Sequence, residues 1–241
     1  MKKFKKKTAG DKIQTSRSNW KFDKSVVKVF DKHILNSVPL YVNAHDLICK
    51  MSDYFIKDDS SIIDIGSSTG TLLRSLNDRH SLKSNIKYLG VESEKEMVKA
   101  SKLKSKNHKI KFVNKKIQNY SFPKSNMITS VYTIQFTNPS IRQGIYNKIY
   151  KSLNWGGAFF FVEKVRSYDA RTQDQMSSIY EEFKIDNGFT LKEITNKKKS
   201  LKGILEPFSS KANVQMLKRA GFVDISSVAK FVSFEFFLAI K

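Results

Sequence analysis

The stretch that decides the fold is Asp64-Ile65-Gly66-Ser67-Ser68-Thr69-Gly70. It joins a short buried strand, predicted at residues 62–65, to a predicted helix. In such a unit Gly66 lets the backbone approach a ligand, Ser68 can supply a hydroxyl, and Gly70 allows the helix to pack closely on the sheet. Open α/β sheets bind ligands beyond the carboxyl ends of their strands, so this turn predicts a ligand site.

An acidic residue stands at the end of the next predicted strand, at residues 86–91. This residue, Glu92, follows Gly66 by 26 positions. In nucleotide-binding folds an acid at this place accepts hydrogen bonds from both hydroxyls of a ribose. The glycine turn and Glu92 together therefore predict a site for a cofactor that contains a nucleoside.

Two other kinds of site use similar letters. A dinucleotide site requires the pattern G-x-G-x-x-G, and this turn lacks the second glycine. The pattern Gly66-x-Ser68-x-Gly70 also fits the nucleophile elbow of α/β-hydrolases, which need a catalytic histidine late in the chain. The four histidines are His33, His45, His80 and His108, and all precede the last predicted strands. The sequence therefore excludes a hydrolase.

Strands and helices alternate through the rest of the chain. Further strands are predicted at residues 110–113, 127–132, 158–163, 222–226 and 232–239. Helices are predicted at residues 69–76, 95–103, 139–153, 170–201 with an interruption near 187–188, and 213–219. This order predicts an α/β fold with a doubly wound, mostly parallel sheet and an antiparallel C-terminal edge.

The N-terminal part of the chain differs from the rest. Residues 25–56 carry apolar residues at helical spacing, broken at Pro39, and predict helices that precede the sheet. Residues 1–19 are polar and basic, and predict a flexible leader. Because no repeat or low-complexity linker follows, we expect one α/β domain over residues 20–241.

The chain of 241 residues carries 44 Lys and Arg against 22 Asp and Glu, a formal net charge of +22. Such an excess indicates either a polyanionic partner, such as tRNA or another RNA, or a strongly anionic small substrate. It also fits a general preference for lysine throughout the chain. These interpretations stay open, although the small share of arginine slightly favours the general preference for lysine.

The cysteine content and the apolar runs indicate in which compartment the protein is located. A single cysteine, Cys49, excludes an internal disulfide and a cysteine-based zinc site, and no other metal site is predicted. The basic start is followed by no apolar segment of the kind that a secretory signal requires. The longest apolar runs, residues 158–162 and 236–240, are too short to span a bilayer. These features predict a cytoplasmic protein without a membrane partner.

A longer series of motifs follows in a fixed order. It consists of Trp20-Lys21-Phe22-Asp23 with Val26, Val29 and Phe30, Ser37-Val38-Pro39-Leu40-Tyr41, the glycine turn, Gln135-Phe136, Arg142-Gln143, Lys148-Ile149-Tyr150, Leu153-Asn154 with Gly156-Gly157, Glu163-Lys164, Phe183-Lys184, Asn187-Gly188 and Ala220-Gly221-Phe222. From Trp20 onward the chain resembles the carboxy-S-adenosyl-L-methionine synthase family, formerly described as tRNA uridine methyltransferases. The resemblance implies the Rossmann-like fold of class I methyltransferases.

The resemblance also implies an activity. The family takes S-adenosylmethionine and prephenate, and forms carboxy-S-adenosylmethionine and phenylpyruvate. The product serves a partner enzyme that modifies the wobble uridine of tRNA. We therefore expect an S-adenosylmethionine-dependent transferase that holds S-adenosylmethionine or its carboxylated form, uses prephenate as its substrate and forms a homodimer.

The turn and the resemblance together define a candidate site. The predicted cofactor-binding residues are Tyr41, Asp64, Gly66, Ser67, Ser68, Gly70, Glu92, Ser93, Ile117 and Val131. The predicted catalytic residues are Lys198, where the family has an arginine against the product carboxylate, and Arg142, which we expect to bind a carboxylate of prephenate. The neighbouring Lys197 and Lys199 leave the register of the first assignment open.

Three positions depart from the family pattern. Lys198 supplies the charge of the family's arginine but not its bidentate fork. Lys116 stands where an aspartate meets the adenine amine, and Val131 replaces an asparagine. We therefore expect either a lower affinity for the family's ligand or a slightly different ligand. Two other functions stay open, an ordinary methyltransferase for RNA or a small acid, and a non-catalytic protein whose basic face binds a partner.

Overall fold

The computed structural model of the chain describes residues 7–241, which form one large sheet between layers of helices. A small hairpin comes first, made of β1 (Lys7–Thr8) and β2 (Gln14–Thr15). The strands of the large sheet are β3 (Ser61–Ile65), β4 (Lys87–Glu92), β5 (Ile110–Asn114), β6 (Ser125–Val131), β7 (Leu153–Lys164), β8 (Asp224–Phe231) and β9 (Phe234–Ile240). The helices are α1 (Lys24–Ser37), α2 (Tyr41–Met51), α3 (Thr71–Arg79), α4 (Lys95–Lys104), α5 (Pro139–Ser152), α6 (Ala170–Asp186), α7 (Leu191–Ser200) and α8 (Ser210–Ala220).

The strand order of the large sheet is β5-β4-β3-β6-β7-β9-β8. Strand β3 pairs in parallel with β4 on one side and with β6 on the other. Strand β9 is antiparallel to both of its neighbours, β7 and β8. The predicted doubly wound sheet with an antiparallel C-terminal edge is thus confirmed, and the order reverses next to β3, where α/β sheets form ligand sites.

Both faces of the sheet are buried. Ile62 and Phe160 belong to one apolar cluster with side chains of α2 and α3. Ile63 and Phe161 belong to a second cluster with side chains of α5 and α8. Successive side chains of a strand point to opposite faces, so continuous apolar runs are required where helices cover both faces. Because helices cover both faces, the edge formed by the carboxyl ends of the parallel strands is left for a ligand site.

Strand β7 is longer than predicted. We expected residues 156–157 to separate a helix from a strand at 158–163, but β7 begins at Leu153 and contains both glycines. Gly156 has a φ of 73° and donates its N–H to the carbonyl of Lys241 at 2.8 Å. The register against β6 shifts at this point, so the glycines form an irregularity inside a paired strand.

Residues 7–19 of the predicted flexible leader contact the rest of the chain, and residues 1–6 lie outside the described part of the chain. Ala9 and Ile13 of the hairpin are 0% and 2% exposed. The side chain of Asn196, on α7, donates to the carbonyl of Thr8 at 2.9 Å. Gly10 packs against the ring of Phe189 so closely that a Cβ would lie 2.2 Å from it. The few apolar residues among the lysines therefore suffice to dock the segment.

Within residues 7–241 no helix is both long and apolar enough to cross a membrane.

Candidate active site

A cavity of about 900 Å³ opens at the carboxyl ends of β3, β4, β6 and β7, and extends to α1, α6 and α7. Ten predicted site residues line it: Tyr41, Asp64, Gly66, Ser67, Ser68, Glu92, Ser93, Ile117, Val131 and Lys198. Two others, Gly70 and Arg142, lie outside its wall. The sequence therefore located the cavity, although contact of these residues with a cofactor stays a prediction.

The glycine turn has the backbone geometry that its sequence requires. Gly66 has a φ of 71°, and a Cβ there would lie 2.1 Å from the Thr133 hydroxyl oxygen. Gly70 has a φ of 78°, and a Cβ there would lie 2.7 Å from the Phe112 ring. Gly66 thus lets the turn pack directly against Thr133, while Gly70 lets α3 pack close to β5.

Two carboxylates stand at the floor of the cavity. Glu92 is 8% exposed and accepts hydrogen bonds from the backbone N–H groups of Ser68 and Glu94, both at 2.9 Å. Asp64 accepts a hydrogen bond from the Thr129 hydroxyl at 2.6 Å. Burial raises the pKa of Glu92, and burial together with the nearby Glu92 raises the pKa of Asp64 to about 7. This acidic end suits hydroxyl and amine groups of a ligand.

Aromatic rings form the middle of the cavity wall. Tyr41 and Tyr132 stack with their ring centroids 6.2 Å apart, and Phe234 meets Tyr132 edge-on at 5.7 Å. The Tyr132 hydroxyl is buried and has no hydrogen-bond partner among residues 7–241. A buried hydroxyl without a partner costs free energy, so this group is available to a bound ligand.

The opposite end of the cavity is a basic lobe formed by Lys164, Lys184, Lys197 and Lys198. The Lys164 and Lys184 ammonium groups lie 4.4 and 4.1 Å from the centre of the Tyr180 ring. In the described part of the chain neither ammonium has a hydrogen-bond acceptor. Burial lowers the pKa of each to about 8, neighbouring lysines act in the same direction, and Glu181 opposes the shift. Unpaired, partly desolvated cations of this kind attract an anion.

The structure distinguishes the three consecutive lysines of α7. Lys197 points into the protein, where its ammonium lies 2.7 Å from His33 Nε2 and 3.0 Å from the Ser37 hydroxyl. Lys198 forms an ion pair with Glu181 of α6 and keeps 59% of its side chain exposed. Lys199 is exposed and does not line the cavity. Two lysines, rather than Lys198 alone, therefore reach the basic lobe from this helix.

Arg142, which we expected to bind a carboxylate of prephenate, lies outside the cavity wall. Its side chain is 2% exposed and donates to the backbone carbonyls of Gln135, Thr137 and Glu206 at 2.8–3.2 Å. Its guanidinium also lies over the Phe208 ring, 4.4 Å from the ring centre. These contacts engage the guanidinium and join two loops behind the cavity.

Sequence reasoning missed several groups of the wall. Tyr132, Tyr180, Lys164, Lys184 and Lys197 were not among the predicted site residues, although all five line the cavity. Two of them belong to quoted motifs, Glu163-Lys164 and Phe183-Lys184. The recurrence of a lysine in these two motifs was the signal that could have drawn attention to Lys164 and Lys184, although not to their convergence. The described residues contain no group of three or more His, Cys, Asp or Glu side chains that could hold a metal ion.

Solved structures share this architecture. A putative S-adenosylmethionine-dependent methyltransferase from Methanococcus maripaludis matches with a TM-score of 0.59 and 19% identity, over 94% of this chain and 96% of that chain. Human N-acetylserotonin methyltransferase, solved in complex with S-adenosylmethionine, matches with a TM-score of 0.58 and 16% identity, over 92% and 60% of the two chains. Residues 62–157 also match the family model of a methyltransferase domain. The chain therefore has the fold of class I methyltransferases.

Curated relatives narrow this class. Carboxy-S-adenosyl-L-methionine synthase of Staphylococcus epidermidis is 34% identical over 223 residues, which are 92% of this chain and 97% of that protein. The synthase of Campylobacter lari is 35% identical over 92% of this chain and 94% of its own length, and that of Trichodesmium erythraeum is 36% identical over 91% and 88%. The chain belongs to the carboxy-S-adenosyl-L-methionine synthase family.

Proposed function

We propose that this protein converts S-adenosylmethionine and prephenate to carboxy-S-adenosylmethionine and phenylpyruvate. The observation that carries the proposal is one continuous cavity with an acidic nucleoside-type end and a basic end. In the overall reaction the carboxyl group leaves prephenate for the sulfonium methyl carbon, and the displaced proton and the hydroxyl group of prephenate leave as water.

The residues present at the acidic end fit S-adenosylmethionine. Glu92 offers carboxylate oxygens to ribose hydroxyls, and the buried Ile117 offers an apolar surface to a base. Gly66 allows the turn after β3 to pack directly against Thr133 in the cavity wall, where a Cβ would clash. Bound S-adenosylmethionine would supply a sulfonium methyl carbon as the acceptor of the carboxyl group. Lys116 in the same wall would offer the adenine amine no acceptor, so we expect weaker binding of adenine at this point.

The residues at the basic end fit an organic acid with two carboxylates. Lys164 and Lys184 provide two ammonium groups without a hydrogen-bond acceptor in residues 7–241. Lys198 pairs with Glu181, but an ammonium has three N–H groups, so another N–H of Lys198 is available to hold the newly formed carboxylate. The Tyr41 and Tyr132 rings between the two ends exclude water and so limit the escape of carbon dioxide.

The use of the product, the location of the protein and its assembly also belong to the proposed function. The carboxylated product is expected to serve tRNA wobble-uridine modification by a partner enzyme, in the cytoplasm. The net charge of +22 is compatible with contact to tRNA, but the proposed chemistry does not require it. A homodimer is expected from the family resemblance.

The test is direct. Purified protein is incubated with S-adenosylmethionine and prephenate, and the products are identified by mass spectrometry together with any small molecule released from the protein by denaturation. Carboxylated S-adenosylmethionine and phenylpyruvate are expected. If neither forms, while methyl groups are transferred to RNA or to a small acid, the protein is an ordinary methyltransferase instead.

A further inference from the structure

A hydrogen-bonded network of four polar side chains extends from the N-terminal hairpin to the basic lobe. The Asp11 carboxylate lies 2.7 Å from His33 Nδ1, and His33 Nε2 lies 2.7 Å from the Lys197 ammonium. The Ser37 hydroxyl lies 3.0 Å from the same ammonium. His33 is 3% exposed and the Asp11 side chain 15% exposed, so water has little access to this chain of contacts.

The two imidazole nitrogens have distinct roles. A carboxylate only accepts hydrogen bonds, so Nδ1 carries the proton that is donated to Asp11. Burial and the neighbouring Lys197 lower the pKa of His33 to about 4, so the ring is neutral near pH 7. Nε2 is therefore an acceptor, and Lys197 donates to it. In this arrangement the negative charge of Asp11 acts on the ammonium through a neutral ring.

Lys197 retains one free donor. An ammonium has three N–H groups, and His33 and Ser37 accept two of them. Trp20 and Phe189 enclose the ammonium, with ring centres 5.2 and 6.0 Å away. Lys197 also lines the cavity, where the third N–H finds no acceptor among the described side chains.

We propose that Asp11 and His33 are positioning residues, which fix Lys197 so that its remaining N–H binds a carboxylate of the second substrate. The identity of that substrate as prephenate rests on the proposed function. Under this assignment the N-terminal hairpin is part of the active site. Asp11 and Lys12 at its tip have φ values of 47° and 62°, a left-handed backbone that non-glycine residues adopt at a cost.

The charges around Lys197 determine how its binding of an anion depends on pH. Lys184 of α6 and Lys164 of β7 oppose its positive charge, whereas Asp11 of the hairpin favours it. Glu193, on the same helix α7, acts on His33. Burial, followed by Lys184, lowers the pKa of Lys197 to about 7. Anion binding by this group is therefore present below that pH and is lost as the pH rises through it.

The experiment measures prephenate binding by calorimetry from about pH 6 to about pH 9, with turnover measured in the same samples. Asp11→Asn keeps the shape of the side chain but removes its charge, so the fall in affinity is expected to begin at a lower pH than in the wild type. Asp11→Glu is expected to restore the wild-type profile. Asp174→Asn, an exposed acid on α6 outside the cavity wall, serves as the control and is expected to leave the profile unchanged.

Lys197→Met is expected to weaken prephenate binding about tenfold, the usual loss for a hydrogen bond to a charged group, and Lys199→Met to leave it unchanged. Coincident pH profiles for the wild type and Asp11→Asn would overturn the positioning role. Prephenate binding without turnover in the wild type would overturn the proposed function alone. Absence of prephenate binding in the wild type would overturn both.

Discussion

The carboxylate of Glu92, at the end of β4, accepts a hydrogen bond from the backbone N–H of Ser68, in the turn after β3, at 2.9 Å. The same carboxylate also accepts the N–H of Glu94 at 2.9 Å. The acid that is proposed to bind ribose therefore also holds the glycine turn in place. Glu92 can hold the turn and bind ribose hydroxyls only if both of its carboxylate oxygens accept hydrogen bonds.

Glu92→Gln is expected to lower the affinity for S-adenosylmethionine by about 10- to 100-fold, because one carboxylate oxygen becomes an amide donor that faces a backbone N–H. Isothermal titration calorimetry measures the effect. The control is Glu96→Gln, which alters an acid on α4 that pairs with Lys99 outside the cavity wall. Equal affinities for the wild type and Glu92→Gln would remove Glu92 from the site.

Two glycines provide a matched pair. Gly66→Ala is expected to abolish cofactor binding and to destabilise the fold, because the added methyl group would meet Thr133 at 2.1 Å on a backbone with a φ of 71°. Gly144, in α5, has no atom within 4 Å of an added Cβ. Gly144→Ala is therefore expected to stabilise the protein by about 0.5–1 kcal/mol and to leave binding intact. Chemical denaturation and calorimetry measure both, and tolerance of Gly66→Ala would contradict the role of the turn.

Lys198 is expected to discriminate between the plain and the carboxylated cofactor. Lys198→Met should weaken binding of carboxy-S-adenosylmethionine about tenfold and change that of S-adenosylmethionine little, since only the former carries the carboxylate. Lys198→Arg should bind the carboxylated form at least as tightly as the wild type, because it adds a bidentate fork. Lys199→Met is the control. A similar loss for both ligands would assign the carboxylate to another group.

The local parts of the site could be predicted from the sequence. Gly66, Glu92 and their surroundings depend on a turn and on a strand end, and both are encoded within a few residues. The basic lobe could not be derived in this way. Lys184 lies on α6, over the Tyr180 ring of the same helix, whereas Lys197 lies on α7, over the Trp20 ring. Their convergence therefore depends on how the two helices pack in the fold.

For two expectations the structure shows contacts that charge and periodicity do not encode. The Arg142 prediction took the position on the helix as evidence of exposure, but three backbone carbonyls of neighbouring loops surround the guanidinium. The prediction for the leader weighed its lysines more than Ala9 and Ile13, which are the residues that dock it. In both cases long-range packing decided the outcome.

Glu163, on β7, is expected to make stability depend on pH. It is 2% exposed, one of its oxygens has no hydrogen-bond partner in residues 7–241, and burial raises its pKa from 4.5 to about 8. Between these values the folded protein keeps a proton that the unfolded chain releases. This group therefore lowers the free energy of unfolding by about 1.4 kcal/mol for each pH unit gained in that window.

Glu163→Gln should remove this contribution, so that the variant gains stability relative to the wild type as the pH rises from 4.5 towards 8. Urea denaturation at several pH values measures the difference. Glu182→Gln, which changes an exposed glutamate of α6, should follow the wild type. A constant difference between Glu163→Gln and the wild type across this range would show that Glu163 is ionised in the folded state.

The indole ring of Trp20 stacks on His33 with centroids 6.1 Å apart, forms part of the cavity wall and is 8% exposed. The only other tryptophan in the sequence, Trp155, is 88% exposed and lies in β7, outside that wall. Replacing Trp155 by phenylalanine would leave a single tryptophan, which lies beside Lys197 and can be excited selectively over the tyrosines. Its emission would then report the filling of the basic lobe in real time, without a label and without turnover.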